Sequence, residues 1–295
     1  MSDGGEGFAD AVGGEIRTQV VSGPLGSPIE ASWRLREDGS AIIESASAAG
    51  RALLAAPGPD DPVDATTYGV GELVGAAISA GAARVVVGCG GSATTDGGLG
   101  CIEALDDLGI EVTVPLIAAC DVQSTFGDAA RLFAAQKGAS PAQVAALLDR
   151  LEALADSYRR RFGVDVEDVP GAGAAGGLAG GLIALGADVI SGAAFVAASR
   201  GIEDDLEAAD LVVTGEGRFD RGTLEGKVVD VVLALRPSVP ALIVAGSAED
   251  DALRALRERR AGRVDLVELP VALQAEVGTA RSIERVVCDF LAANY

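Results

Sequence analysis

Gly88-Cys-Gly-Gly-Ser-Ala-Thr-Thr-Asp-Gly-Gly98 follows the apolar run Arg84–Val87, and the order of these residues decides the fold. An apolar strand runs into glycines, hydroxyls and one carboxylate, and a helix opens from about Gly97. That is the strand–loop–helix order of an α/β protein. Gly90 and Gly91 let backbone N–H groups approach an anion with no Cβ in the way. Ser92, Thr94 and Thr95 can donate hydrogen bonds, and the following helix directs its positive end at the same place. Asp96 is misplaced beside a bare anion. It makes sense if Mg²⁺ or a substrate hydroxyl sits there too, which points toward phosphoryl transfer. A tight strand-to-helix turn explains the same residues, since the spacing is neither a Walker A sequence nor G-x-G-x-x-G.

Outward from this loop, helices and apolar strands alternate. Helices are predicted from about Tyr68, from Pro141 to about Arg161, over Ala193–Ala208, near Val228 and over Ser282–Ala293. Strands are predicted at Leu116–Ala119, Leu211–Thr214, Ala241–Ala245 and Val264–Glu268. Such alternation predicts parallel sheets with ligands at the carboxyl ends of strands, where the glycine-rich turns fall. Nearer the N-terminus, Ile16–Val21, Ile29–Leu35 and Ala41–Ser45 read as a small antiparallel unit. Ala56–Asp64 is the best linker candidate. Val169–Ser199 carries one charge, Asp188, but its apolar content is mostly Ala and Gly. It reads as a closely packed buried helix, not a membrane span.

A chain of 295 residues is long enough for two α/β lobes. The net charge of −21, from 44 acidic against 23 basic residues, argues against nucleic-acid or anionic-membrane partners and leaves small molecules. There is no histidine, so proton transfer falls to carboxylates, Lys or water. The four cysteines lie far apart without a C-x-x-C pair, so neither a zinc site nor a disulfide framework is expected. They read as buried thiols in a reducing cytoplasm, and MSDGGEGFAD lacks the regions of a signal peptide. The expected location is cytoplasmic.

Only two lysines occur, Lys137 in AAQKGAS and Lys227 in TLEGKVV, each beside a glycine. Each reads either as a phosphate contact or as a solvated surface lysine. In LVVTGEGRFDRGTLEGK, Leu211–Lys227, a strand is expected to end at Thr214-Gly215-Glu216-Gly217, with Arg218, Asp220, Thr223 and Lys227 following. Arg218 suits a carboxylate or phosphate clamp, and Asp220 or Glu216 suits a Mg²⁺ ligand or general base. An exposed Arg218–Asp220 ion pair is the plainer alternative. Asp121, ending the strand Leu116–Ala119, reads as a metal ligand, a base or a helix cap. Pro170–Gly181, with Gly173, either presents N–H groups to an anion or supplies small residues for close packing.

Taken together, DGGEG (Asp3–Gly7), GGSATTDGG (Gly90–Gly98), ACDV (Ala119–Val122), QKGAS (Gln136–Ser140), GAGAAGGL (Gly171–Leu178) and GEGRFD with EGK (Gly215–Lys227) resemble, in that order, the bacterial glycerate kinases of the first type. The resemblance spans essentially the whole chain. It implies an α/β protein of two domains. One is a Rossmann-like parallel-sheet domain, discontinuous over 1–15 and 195–295, and the other is an inserted α/β domain over 16–194. It further implies an ATP- and Mg²⁺-dependent phosphotransferase with an alcohol acceptor, making phosphoglycerate, expected as 2-phosphoglycerate, from D-glycerate. Asp96, Arg218 and Asp220 would then be catalytic. Gly90, Gly91, Ser92, Thr94, Thr95, Lys137, Gly173, Gly215, Glu216, Gly217, Thr223 and Lys227 would bind substrate or phosphate, and Asp121 and Glu216 the metal. Family members normally open with a strand, a PDSFKG-type loop, a helix and a second strand before the DGGEG turn. This chain starts at that turn. An upstream start restoring the unit is expected, and the alternative is a non-catalytic nucleotide- or anion-binding remnant of the same fold. Gln123-Ser124 stands where many members carry Asn-Pro.

Overall fold

Val85, Val86 and Val87 are fully buried at the centre of a six-stranded sheet. Its strands β1 (Glu15–Ser22), β2 (Pro28–Leu35), β3 (Ser40–Glu44), β4 (Arg84–Gly88), β5 (Leu116–Ala119) and β6 (Asp188–Ile190) lie side by side in chain order. The computed structural model describes residues 2, 4–54, 58, 61–224, 226–269 and 276–294. Asp3 of the DGGEG turn, Glu225 of the EGK stretch and four of the nine residues of the expected linker lie outside the described residues.

Pairing is antiparallel from β1 to β3 and parallel from β3 to β6, with Ile43 opposite Val87 and Val87 opposite Ala118. The expected antiparallel unit is therefore one edge of the parallel sheet. An uninterrupted β-branched run suits a strand covered on both faces, with alternate residues serving alternate faces. Ile43, Val85 and Val87 pack with Leu73, Leu105 and Leu182, from the helices Tyr68–Ser79, Leu99–Asp107 and Leu178–Ala184. Ile42 and Val86 pack on the other face with Phe8 and Val12 of helix Phe8–Val12 and with Val196. Helix Pro141–Phe162 starts in a capping box between Ser140 and Gln143 with proline in its first turn, and stops at Gly163 in the left-handed conformation, φ 72°. Leu147, Leu151 and Tyr158 on its inner face form a satellite core with Phe126.

A second sheet holds β7 (Val212–Phe219), β8 (Ala241–Ala248) and β9 (Val264–Glu268), all parallel. Ile243 and Ala245 face Val229, Leu233 and Leu256 of helices Val228–Leu235 and Asp250–Arg259. Leu242 and Val244 face Val286 and Phe290 of helix Glu276–Asn294.

Three expectations are corrected. β7 does not end at Thr214 but continues through the glycines to Phe219, pairing Arg218 with Ser247. Gly215 permits this, because a Cβ there would lie 2.3 Å from the Val244 carbonyl oxygen. Val169–Ser199 is not one helix, since Gly186 at φ 93° ends Leu178–Ala184 and β6 follows. The helix expected over Ala193–Ala208 is two, Gly192–Arg200 and Ile202–Glu207, parted by Gly201 at φ 66°.

By contact the chain divides into Met1–Val196 and Ala197–Tyr295. The N-terminal residues differ from expectation, because Phe8 is buried within the first unit instead of belonging with the second. No described helix is long and apolar enough to cross a membrane.

Candidate functional site

At the carboxyl end of β4 the chain turns through Gly90 and Gly91 to Ser92. The turn is held from several sides. A Cβ on Gly90 would lie 2.5 Å from Gly5 Cα, and the Ser45 hydroxyl donates to the Gly90 carbonyl at 3.1 Å. The Arg51 N–H donates to the Gly91 carbonyl at 3.1 Å, and Gly50 bridges Ser92, so the turn Arg51–Leu53 is stitched to the loop. A cavity of about 270 Å³ opens here, with Arg51, Gly90, Gly91, Ser92, Lys137 and Ala175 in its wall. The Lys137 ammonium donates to Ser92 Oγ at 3.1 Å and to the Thr94 carbonyl. The side chain keeps some exposed surface, but its ammonium is enclosed. Burial, partly offset by Asp96 and reinforced by Arg51, brings Lys137 down to about 8. Two cations on one small, glycine-walled cavity are arranged to hold an anion. Ala175, at φ 51°, is the one non-glycine residue at positive φ among the described residues. Strain of this kind collects at ligand sites.

The expected ligands of the loop divide. Gly90, Gly91, Ser92 and Lys137 line the cavity, whereas Thr94 and Thr95 are fully buried behind it. The Thr94 hydroxyl donates to the Ala175 carbonyl at 3.4 Å, and that of Thr95 has no hydrogen-bond partner among the described residues. Asp96, expected beside a Mg²⁺ or a substrate hydroxyl, has both oxygens engaged by the protein itself. Its Oδ2 accepts from the Thr67 N–H at 2.7 Å, the Thr67 hydroxyl at 2.8 Å and the Gly100 N–H at 3.2 Å, and its Oδ1 accepts from the Gly98 N–H at 3.1 Å. The buried carboxylate braces the starts of helices Tyr68–Ser79 and Leu99–Asp107. Gly173 donates its N–H to the Ser124 carbonyl at 3.0 Å, and a Cβ there would lie 2.3 Å from the Thr125 carbonyl oxygen. Close packing, not anion binding, uses that glycine. Asp121 is buried, and its Oδ2 accepts from the Ala193 N–H at 3.0 Å, capping helix Gly192–Arg200.

In the second unit a pocket of about 540 Å³ opens against the body of β7 and beside β8. Its walls include Val213, Gly215, Glu216, Gly217, Val244 and Ile283. Glu216 is half-buried, and its Oε1 has no hydrogen-bond partner among the described residues. Burial raises its carboxyl, offset in part by the Thr223 hydroxyl and by Lys227. Arg218 points to solvent. Its Nη2 donates to Glu249 Oε1 at 2.7 Å and its Nε lies 3.4 Å from Asp220 Oδ2. Thr223 Oγ1 accepts from the Asp220 N–H at 3.1 Å, and Lys227 stands at the N-cap of helix Val228–Leu235. Among the described residues no group of three His, Cys, Asp or Glu could hold a metal. A cation would here be held by one or two carboxylates together with a ligand's oxygens, as Mg²⁺ commonly is.

The sequence profile described as the glycerate kinase family matches residues 1–113 and 109–291. The chain belongs to that family. It is 38% identical over 290 residues to the glycerate 2-kinase of Escherichia coli K12, covering 85% of this chain and 76% of that protein. An uncharacterised protein of Mycobacterium bovis is 45% identical over 271 residues, covering 86% of this chain and 71% of its own length. A crystal structure from Salmonella typhimurium LT2, assigned as glycerate kinase 2, superposes with a TM-score of 0.75 at 31% identity, covering 99% of this chain and 87% of the other. As a glycerate kinase family fold, the chain is a mixed α/β protein with parallel-rich sheets.

Arg51 and Ala175 escaped the reading of the sequence. Arg51 sits in no glycine motif and reaches the cavity only through its backbone link to Gly91. Cys89 also lines this glycerate kinase family cavity. Burial raises its thiol, as it raises that of Cys101 and lifts Cys120 to about 11, whereas Cys288 is exposed.

Proposed function

We propose that this chain phosphorylates D-glycerate with ATP and Mg²⁺, making 2-phosphoglycerate. The observation that carries the reading is the cationic cavity at the carboxyl end of β4, in a chain of the glycerate kinase family. The name of the Escherichia coli relative, glycerate 2-kinase, supports the choice of product. ATP supplies the phosphoryl group, and Mg²⁺ neutralises charge on its oxygens.

The residues present fit both groups. Glu216, with a buried oxygen lacking a hydrogen-bond partner among the described residues, suits a cation, and Asp220 lies near enough to raise its carboxyl. The 540 Å³ pocket beside it has apolar walls at Val213, Val244 and Ile283, the surface a nucleotide base prefers. Gly217 has nothing within 4 Å of the position a Cβ would take, so its backbone is open to a ligand.

In the first unit, Lys137 brings a compact positive charge to the cavity, and the loop glycines keep backbone atoms within reach of an anion. In phosphoryl transfer the substrate hydroxyl oxygen bonds to the γ-phosphorus as the bond to ADP breaks, and the hydroxyl proton is released. The protein's share is positioning and charge neutralisation, and neither needs a histidine. Asp96 takes no proton in this reading but keeps the loop in shape.

The test is ADP release with D-glycerate, ATP and Mg²⁺, with the product identified by ³¹P NMR. Release that needs both D-glycerate and the metal, with the 2-phospho product, is expected. ADP release indifferent to D-glycerate overturns the reading, and binding without turnover favours a non-catalytic member of the fold.

A further inference from the structure

We propose that Arg51 and Lys137 together recognise the carboxylate of a small hydroxy acid in the first-unit cavity, with Arg51 the residue that selects the acid over the corresponding alcohol. The proposal rests on the kinase reading above and names the part of the substrate that this cavity takes.

Size is the first argument. About 270 Å³ lies just below the roughly 300–1,000 Å³ of sites for drug-sized ligands, which suits a three-carbon acid better than a nucleotide. The second-unit pocket, at about 540 Å³, falls inside that range. Charge is the second argument and points the same way. Among the described residues no carboxylate lines the smaller cavity, which carries Arg51 and Lys137, whereas the larger pocket carries Glu216, which repels an acid. The third argument concerns which arginine is available. Arg218, expected as the clamp, already serves Glu249 and Asp220. Arg51 makes no ion pair among the described residues, yet its backbone is tied to Gly91 beside the cavity. A planar guanidinium can meet a carboxylate with two parallel hydrogen bonds, while Lys137 adds a point charge from the opposite segment of chain. Val122 and Phe133 give the carbon skeleton an apolar wall, and Gln136 offers hydrogen bonds for hydroxyls.

The experiment compares wild type with Arg51→Ala in two readouts. Arg51 is exposed and makes no side-chain hydrogen bond among the described residues, so the variant is expected to fold, checked by its urea midpoint. In steady-state kinetics the KM for D-glycerate should rise roughly 10- to 100-fold, the worth of a lost charge-assisted hydrogen bond, with the KM for ATP unchanged. The preference for D-glycerate over glycerol should fall by a similar factor, and Arg51→Lys should restore part of it. An unchanged KM for D-glycerate, or a raised KM for ATP instead, overturns the proposal. Calorimetry without nucleotide gives the second readout, with D-glycerate and inorganic phosphate as probes. D-glycerate binding that weakens in Arg51→Ala supports the clamp. Phosphate binding that weakens while D-glycerate binding does not gives the cavity to a phosphate group and overturns it. If wild type releases no ADP with D-glycerate, the kinase reading fails while the calorimetric comparison still decides the clamp. A wild-type protein that takes up no D-glycerate overturns the clamp itself.

Discussion

Gly88–Gly98 and Thr214–Lys227 draw on the same residue types, yet they fold in opposite senses. In the first stretch the acid, Asp96, is buried and bound by four donors of the protein, while the cation that fronts the cavity, Lys137, is supplied from another part of the chain. In the second the acid, Glu216, fronts the pocket with an oxygen unpartnered among the described residues, while Arg218 is held in solvent by carboxylates. Composition alone does not assign a role to a charged group in a glycine-rich loop. A carboxylate whose oxygens are filled by the protein's own donors is a brace, whereas a buried one with an unfilled oxygen suits a ligand.

That contrast can be broken at either stretch. The largest effect is expected for Asp96→Ala, which strands four donors in the interior and should cost at least about 3 kcal/mol in urea denaturation. A wild-type urea midpoint would mean that Asp96 is not a brace. Gly176→Ala comes next, because φ is 73° there and a Cβ would lie 1.8 Å from the Thr94 carbonyl oxygen. A loss of about 2–3 kcal/mol is expected, with the loop displaced.

A pH series sharpens the role of Lys137. It loses its proton near pH 8 in the folded chain, against an ordinary value of 10.5. The unfolded chain therefore binds more protons between these values, so the stability of the free protein should rise with pH across that window. Affinity for an anionic substrate should fall over the same window, and a flat binding profile from pH 7 to 10 would remove Lys137 from the cavity's chemistry. Glu216→Gln tests the second stretch. The folded carboxyl is raised above 4.5, so its stabilising share is complete below 4.5 and lost as pH rises through the folded value. The glutamine variant should lack that slope and require more Mg²⁺ for half-maximal turnover. The smallest effect is expected for Arg218→Ala, whose exposed ion pairs should leave the urea midpoint unmoved.

The sheet cores were legible because β-branched runs such as Val85–Val87 have few alternatives, and Ser140-Pro141 announced its helix correctly. β6 was not, since a three-residue strand inside a Gly/Ala segment has too little apolar period to register. The reach of β7 past Thr214 was hidden because glycine signals a turn locally, whereas here it admits the neighbouring carbonyl of Val244. At the site, glycines and Lys137 were readable from their neighbours in sequence. Arg51 was not, because what brings it there is a backbone bond to Gly91 forty residues away. Asp96 was visible as a residue but not in its role, which depends on donors elsewhere in the chain, whereas close packing at Gly173 was one of the two readings its sequence left open.

The placement of the four cysteines offers a practical handle. Cys89, Cys101 and Cys120 are buried with raised thiols, so at neutral pH they are poor nucleophiles, while Cys288 lies exposed on helix Glu276–Asn294. A maleimide dye should therefore attach at a single position on the second unit, without any engineered residue.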